Sequence, residues 1–101
     1  VIREDADAEE FLISVDGVPA GKAEYQSRRG IIAFMHTETL PGFTGRGLAR
    51  KLIEHALDQA REQGLWVLPF CPFVVKIVAE RPEYLALVPG DLRANFDLPA
   101  G

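Results

Sequence analysis

The chain has 101 residues and a formal net charge of −4, with 48% hydrophobic and 26% charged residues, the balance of one ordinary globular domain. An acidic chain is repelled by a phosphate backbone, which disfavours a nucleic-acid partner, and no apolar run approaches the ~20 residues of a membrane span. The single cysteine, Cys71, excludes an internal disulfide.

In chain order, "EDADAEE" (4–10) is acidic and is expected to be solvated. The expectation is one domain over 1–101, with 1–9 and 97–101 flexible. "FLISVDG" sets Phe11, Ile13 and Val15 against Ser14 and Asp16, the alternation of a half-buried strand that ends in the Asp16-Gly17 turn. "AGKAEYQ" (20–26) alternates again, with Ala23 and Tyr25 opposed by Lys22, Glu24 and Gln26, so the two strands read as a hairpin. "SRRG" (27–30) is the next turn, where Arg28 and Arg29 are expected in solvent. "IIAFMHTETL" (31–40) is apolar at every position to Met35, which predicts a central strand covered on both faces. Residues 46–63 place Leu48, Ala49, Leu52, Ile53, Ala56, Leu57 and Ala60 at helical spacing, with His55 expected on the solvated side and Gly64 as the stop. "LWVLPF" (65–70) is a short buried strand. Pro72 opens a second helix, with Phe73, Val74, Ile77 and Val78 on its apolar face and Pro82 at its end. "YLALV" (84–88) reads as a last strand or a packed turn. The predicted fold class is α/β (α+β): a mixed sheet with antiparallel hairpin strands and one right-handed βαβ unit, flanked by helices.

The acidic N-terminus lacks the positive region of a signal peptide, and a lone thiol suits a reducing compartment. A cytoplasmic protein is expected.

"GFTGRGLA" (42–49) puts three glycines directly before a helix. A helix N-terminus offers unpaired N–H groups and positive potential, so this turn is built to cradle an anion. The NTPase loop G-x-x-x-x-G-K-S/T fails, because Leu48 follows the last glycine. The dinucleotide fingerprint G-x-G-x-x-G/A fails at Arg50.

Thr44-Gly45-Arg46-Gly47-Leu48-Ala49 instead resembles motif A of the GNAT superfamily of acetyl-CoA-dependent N-acetyltransferases, Q/R-x-x-G-x-G/A, with Thr44 where Gln or Arg is usual. "DGVPAGKAEY", "HTETLPGFTGRGLARKL" and "PFCPFV", in that order, are similar to a compact GNAT-like subfamily of about 100 residues. That subfamily has a central-strand His-Thr pair and a cysteine after the following parallel strand. The resemblance implies acetyl-CoA as the bound group, with the pyrophosphate of coenzyme A on the main chain of Thr44, Gly45, Arg46, Gly47, Leu48 and Ala49. Thr37 and Leu40 on the strand would join the cofactor site, with the pantetheine arm between splayed strands. It also implies transfer of acetyl to an amine acceptor, either a small molecule or a protein or peptide amine.

Three residues are candidates for the chemistry. Cys71, between a strand end and a helix start, is either an acetyl-accepting nucleophile or a small buried hydrophobe. His36 is either a general base or a half-buried hydrogen-bonded ring. Regular alternation would set it on the face of Ile32, Phe34 and Glu38. Glu38 would orient it or act as the base itself. Tyr84 is not assigned the general-acid role of the tyrosine that larger members carry. No metal site is expected. A coenzyme A or acyl-CoA binding module without turnover is the alternative.

Overall fold

The computed structural model describes residues 1–99. Five strands lie in spatial order β1 (Ile2–Asp5), β2 (Glu10–Val15), β3 (Val18–Arg28), β4 (Ile31–Thr39) and β5 (Trp66–Pro69). The first four are antiparallel and β5 runs parallel to β4. Two short turns set the antiparallel half. Asp16 and Gly17 lie at φ 51 and 80, and Arg29 and Gly30 at φ 34 and 82. Paired positive φ values give a turn whose twist matches that of the flanking strands.

A parallel neighbour needs a crossover. Helix α1 (Leu48–Glu62) supplies it between β4 and β5, as the periodicity predicts. Leu52, Ile53, Ala56, Leu57 and Ala60 are buried on its inner face. Helix α2 (Pro72–Glu80) follows β5 with Pro72 in its first turn. Its buried Val74, Ile77 and Val78 extend the same core. The Arg50 guanidinium grips the Glu80 carboxylate through two bonds of 2.7 and 3.0 Å, tying α1 to α2. No helix among the described residues is long and apolar enough to cross a membrane.

Three sequence expectations change and one open alternative is decided. Ile2–Asp5, within the segment expected to be flexible, is a strand in register with Ile13–Glu10. Four residues with charges at three of them give no apolar alternation. Main-chain pairing and a hydrogen bond from the Tyr25 hydroxyl to Glu4 hold the strand. Of the two readings of "YLALV", the packed turn holds: Pro82 opens the short helix α3 (Pro82–Leu85), turns follow, and a 3-10 helix spans Gly90–Phe96. Within 97–101, Leu98 is buried and its amide donates to the Arg93 carbonyl at 2.9 Å; residues 100 and 101 lie outside the described residues. Nor is the sheet covered on both faces. Phe11, Ile13, Ala23, Tyr25, Ile32, Phe34 and Val67 are buried under the helices. Ile31 and Ala33, on the other face of β4, are half-buried, and Trp66 on β5 is exposed.

The outer edge of β5 is closed at two points. Val67 donates its amide to the Leu87 carbonyl at 2.9 Å, and Pro69, next in the outward alternation, has no N–H. Inside the sheet, β3 approaches β4 closely at Gly21, where an added Cβ would stand 2.8 Å from the Glu38 carbonyl oxygen. Gly21→Ala should therefore cost about 1–3 kcal/mol, the usual cost of overpacking, read as a lower denaturation midpoint.

A second expectation concerns alkaline pH. Burial, then the hydrogen bond to Asp58, raises the Tyr84 hydroxyl to about 12; burial and Glu4 raise Tyr25 as well. The unfolded phenols ionise near 10, before the folded ones, so stability is intact below that pH and falls as pH rises above it. Tyr84→Phe should flatten part of that slope in denaturation curves, leaving the share of Tyr25.

Candidate active site

β4 carries one residue more than β3 along their pairing. Phe34 lies opposite Tyr25 and His36 opposite Glu24, which leaves Met35 as a bulge. A bulge advances the pleat by one residue and reverses every side chain beyond it. Thr37 and Thr39 consequently fall opposite Ala23 and Gly21 on the helix side, while His36 and Glu38 fall opposite Glu24 and Lys22 on the open side. The expectation that His36 and Glu38 share the face of Ile32 and Phe34 is thus corrected. The extra residue is invisible to a period-2 reading because Ile31 to Met35 are all apolar.

His36 and Glu38 are solvent-accessible at 57% and 41%, with Nε2 3.9 Å from Oε2. Lys22 stands among Glu24, Glu10 and Glu38 at 3.1, 3.4 and 3.5 Å. The hydrogen bond to Glu24, then the charge of that carboxylate, raises the Lys22 pKa. Lys22 remains an ammonium at neutral pH and holds positive charge beside Glu38.

β5 ends early. Its last pairing sets Pro69 against Phe34, and the Cys71 amide donates to the Phe34 carbonyl at 3.1 Å. Beyond that point β4 continues to Thr39 without a β5 neighbour among the described residues. Leu40 donates its amide to the Ala20 carbonyl at 2.8 Å. By alternation, the main chain of Thr39 and Thr37 points away from β3, into the space that β5 leaves. Thr37 is at this opening. Leu40 has its N–H engaged, and Thr39, which the sequence reading passed over, holds the exposed main-chain position. Strand parity with Thr37 is the signal that finds it.

The turn after β4 delivers the chain to α1. Gly42, Gly45 and Gly47 all have positive φ (90, 81 and 71), and an added Cβ at Gly45 or Gly47 meets nothing within 4 Å. Backbone conformation requires the glycines, and the space beside them is open. Gly47 is the N-cap, with no side-chain cap and no acid in the first turn. Helices ordinarily place Ser, Thr or Asp there and acids just after. This one has Arg46, Arg50 and Lys51 instead. Arg46 lies over the Phe43 ring at 5.4 Å. Together with Leu48, Lys51 and His55 it lines a groove of about 830 Å³ beside the turn. His55, expected in solvent, is half-buried with its ring edge-on to Phe11, because α1 also crosses β2. Thr44, Gly45, Arg46 and Gly47 are exposed, and Leu48 and Ala49 are half-buried. The cradle fits an extended anion such as a pyrophosphate.

Cys71 is the N-cap of α2 and is 6% exposed. Its sulfur meets the Thr37 hydroxyl at 3.6 Å, and among the described residues no histidine or carboxylate bonds to it. Cys71 lies on the Thr37 side of β4 and His36 on the other, so the structure does not join them as thiol and base. Tyr84 is buried with its hydroxyl donating to Asp58 at 2.9 Å, a core role. Among the described residues no group of ligands suits a metal ion.

The chain matches the GCN5-related N-acetyl-transferase family model over residues 10–88. It is 39% identical over 70 residues to streptothricin acetyltransferase of Streptomyces lavendulae, covering 63% of this chain and 37% of that protein. It is 38% identical over 64 residues to protein NATD1 of Homo sapiens, covering 61% and 56% respectively. The chain thus spans less than two thirds of the length of these relatives. Among solved structures, a GCN5-like protein from Staphylococcus aureus aligns with TM-score 0.67 and 20% identity, over 88% of this chain and 87% of that one. The ribosomal-protein-S18-alanine N-acetyltransferase of Escherichia coli aligns with TM-score 0.54 and 24% identity, over 57% and 39%. At these identities the structural likeness speaks to the fold.

The bulge is open to a direct test. Inserting one residue between Glu24 and Tyr25 would give Met35 a partner, straighten β4 and turn His36 and Glu38 into the helix face, where polar groups are costly. The insertion variant should fail to fold cooperatively by circular dichroism and thermal melting, whereas deletion of Met35, which keeps the pairing and faces on either side of it, should melt as a folded protein.

Proposed function

The chain belongs to the GCN5-related N-acetyltransferase family, and on that premise we propose that it binds acetyl-CoA at the glycine turn and acetylates an amine directly, with His36 or Glu38 as base. The observation that carries this reading is the uncapped, acid-free N-terminus of α1 behind three positive-φ glycines, directly after a strand that outruns its neighbour. Acetyl-CoA, when bound, supplies an activated acetyl thioester.

The residues divide the work. Amides of Gly45 to Ala49 hold the pyrophosphate, and Arg46 and Lys51 add positive charge. The main chain of Thr37 and Thr39 lies along the pantetheine arm. His36 or Glu38, on the open face, would take one proton from the amine as its bond to the acetyl carbon forms and the thioester C–S bond breaks, with coenzyme A leaving as the thiol or thiolate. Lys22 sets a positive charge 3.5 Å from Glu38. Cys71 as an intermediate acetyl carrier has one observation in its favour, its place at the N-cap of α2. Its burial and its contact with Thr37 rather than a base favour the direct route. The net charge of −4 supports an acceptor other than nucleic acid, and the free thiol supports a cytoplasmic setting.

Backbone NMR titration with coenzyme A tests the cradle. Amides of Gly45, Arg46, Gly47, Leu48 and Ala49 should move most, and Arg46→Ala should weaken binding by about tenfold, the loss of one charge-assisted contact. Unmoved amides at that turn would sink the assignment. Glu38→Gln and His36→Ala should lower kcat without changing coenzyme A affinity. Cys71→Ser should acetylate at the parent rate; loss of activity with binding intact would move the reaction to the thiol.

A further inference from the structure

We propose that the acceptor is a small amine with an aromatic or similarly apolar body, seated in a cavity between β5, α2 and the 3-10 helix; this deepens the acetyl-transfer reading above and rests on it. The cavity measures about 620 Å³, the size that holds a small ligand. Its walls are Leu68 from β5, Phe70 just after it, Pro72 and Val75 from α2, and Leu92 and Phe96 from the 3-10 helix. Phe96 meets Phe70 edge-on at 5.3 Å and braces one side. Phe70 is 54% exposed. Large exposed aromatic surface at the carboxyl end of a parallel strand is where α/β sheets take ligands.

Three observations fix the occupant. The walls are predominantly apolar, so the body of the ligand is apolar. Asn95 and Asp97 are the polar residues at the cavity. Asp97 is exposed at the rim, and its carboxylate makes no hydrogen bond or ion pair among the described residues, so it is available to an ammonium. Asp97 is also held at φ 58, a left-handed conformation that fixes where the residue sits. Leu68 belongs to the same sheet face as His36 and Glu38, since it pairs with Ala33, while Pro69, Pro72 and Val75 belong to the helix side. The cavity therefore wraps the carboxyl end of β5, beyond which β4 carries His36 and Glu38.

The experiment uses the full chain, with phenethylamine as probe and ethylamine and 2-phenylethanol as comparators. Phenethylamine should shift the amides of Leu68, Phe70, Val75, Leu92 and Phe96, and ethylamine should bind at least about tenfold more weakly, because it lacks the ring that the walls bury. Asp97→Asn, which also tolerates positive φ, should weaken phenethylamine by about tenfold while leaving 2-phenylethanol unchanged. With acetyl-CoA present, phenethylamine should be acetylated with higher kcat/KM than ethylamine. Amides at the cavity that stay unmoved, equal affinities for the two amines, or binding with no preference in acetylation would each overturn the proposal. Coenzyme A added to the same sample reports on Gly45 to Ala49 alone, so failure of the cavity and failure of the acetyl-CoA reading are separate results.

Discussion

One extra residue in β4 governs the geometry of the site. Before Met35, the strand directs Ile32 and Phe34 into the helices; after it, Thr37 and Thr39 take that side and His36 and Glu38 face outward. Were Met35 paired in regular alternation, His36 and Glu38 would stand against the hydrophobic core, where neither solvent nor partner could compensate their polar groups. With the bulge, one strand serves a packed interior along its first half and a polar surface along its second.

The early end of β5 complements this. A parallel pair that stops at Phe34 and Pro69 leaves the second half of β4 with a free edge. The glycine turn then starts α1 with its amides bare. Local stability is given up at several points. An ordinary N-cap and an acid in the first turn would each strengthen α1, yet the sequence has Gly47 and basic residues. The Arg50–Glu80 pair offsets some of this by fastening the same turn to α2.

The long helix and its neighbouring strands were legible because periodicity of seven apolar positions in α1 leaves little freedom, and Pro72 marks the start of α2 directly. The glycine turn was legible from its residues, and the family resemblance followed from motifs in order. What the sequence hid has specific causes. β1 is held by main-chain pairing and a Tyr25–Glu4 contact, which leave no apolar period. The bulge sits in an all-apolar run. Thr39 in place of Leu40 at the opening depends on that bulge, and the half-buried state of His55 depends on how α1 crosses β2, a tertiary matter. The uncovered sheet face was misread because Ile31 and Ala33 look like core residues, yet they are only half-buried and Trp66 beside them is exposed.

The closure of the outer edge of β5 has a consequence for assembly. With the Val67 amide occupied and proline at position 69, that side of the sheet offers no ladder for an added strand. A visiting peptide cannot dock there by continuing the sheet, and two copies cannot fuse their sheets through β5. The short, charged β1 is the sheet's other edge. Recognition on the β5 flank falls to side chains, which select a molecule by shape and charge, whereas strand addition would accept any extended backbone.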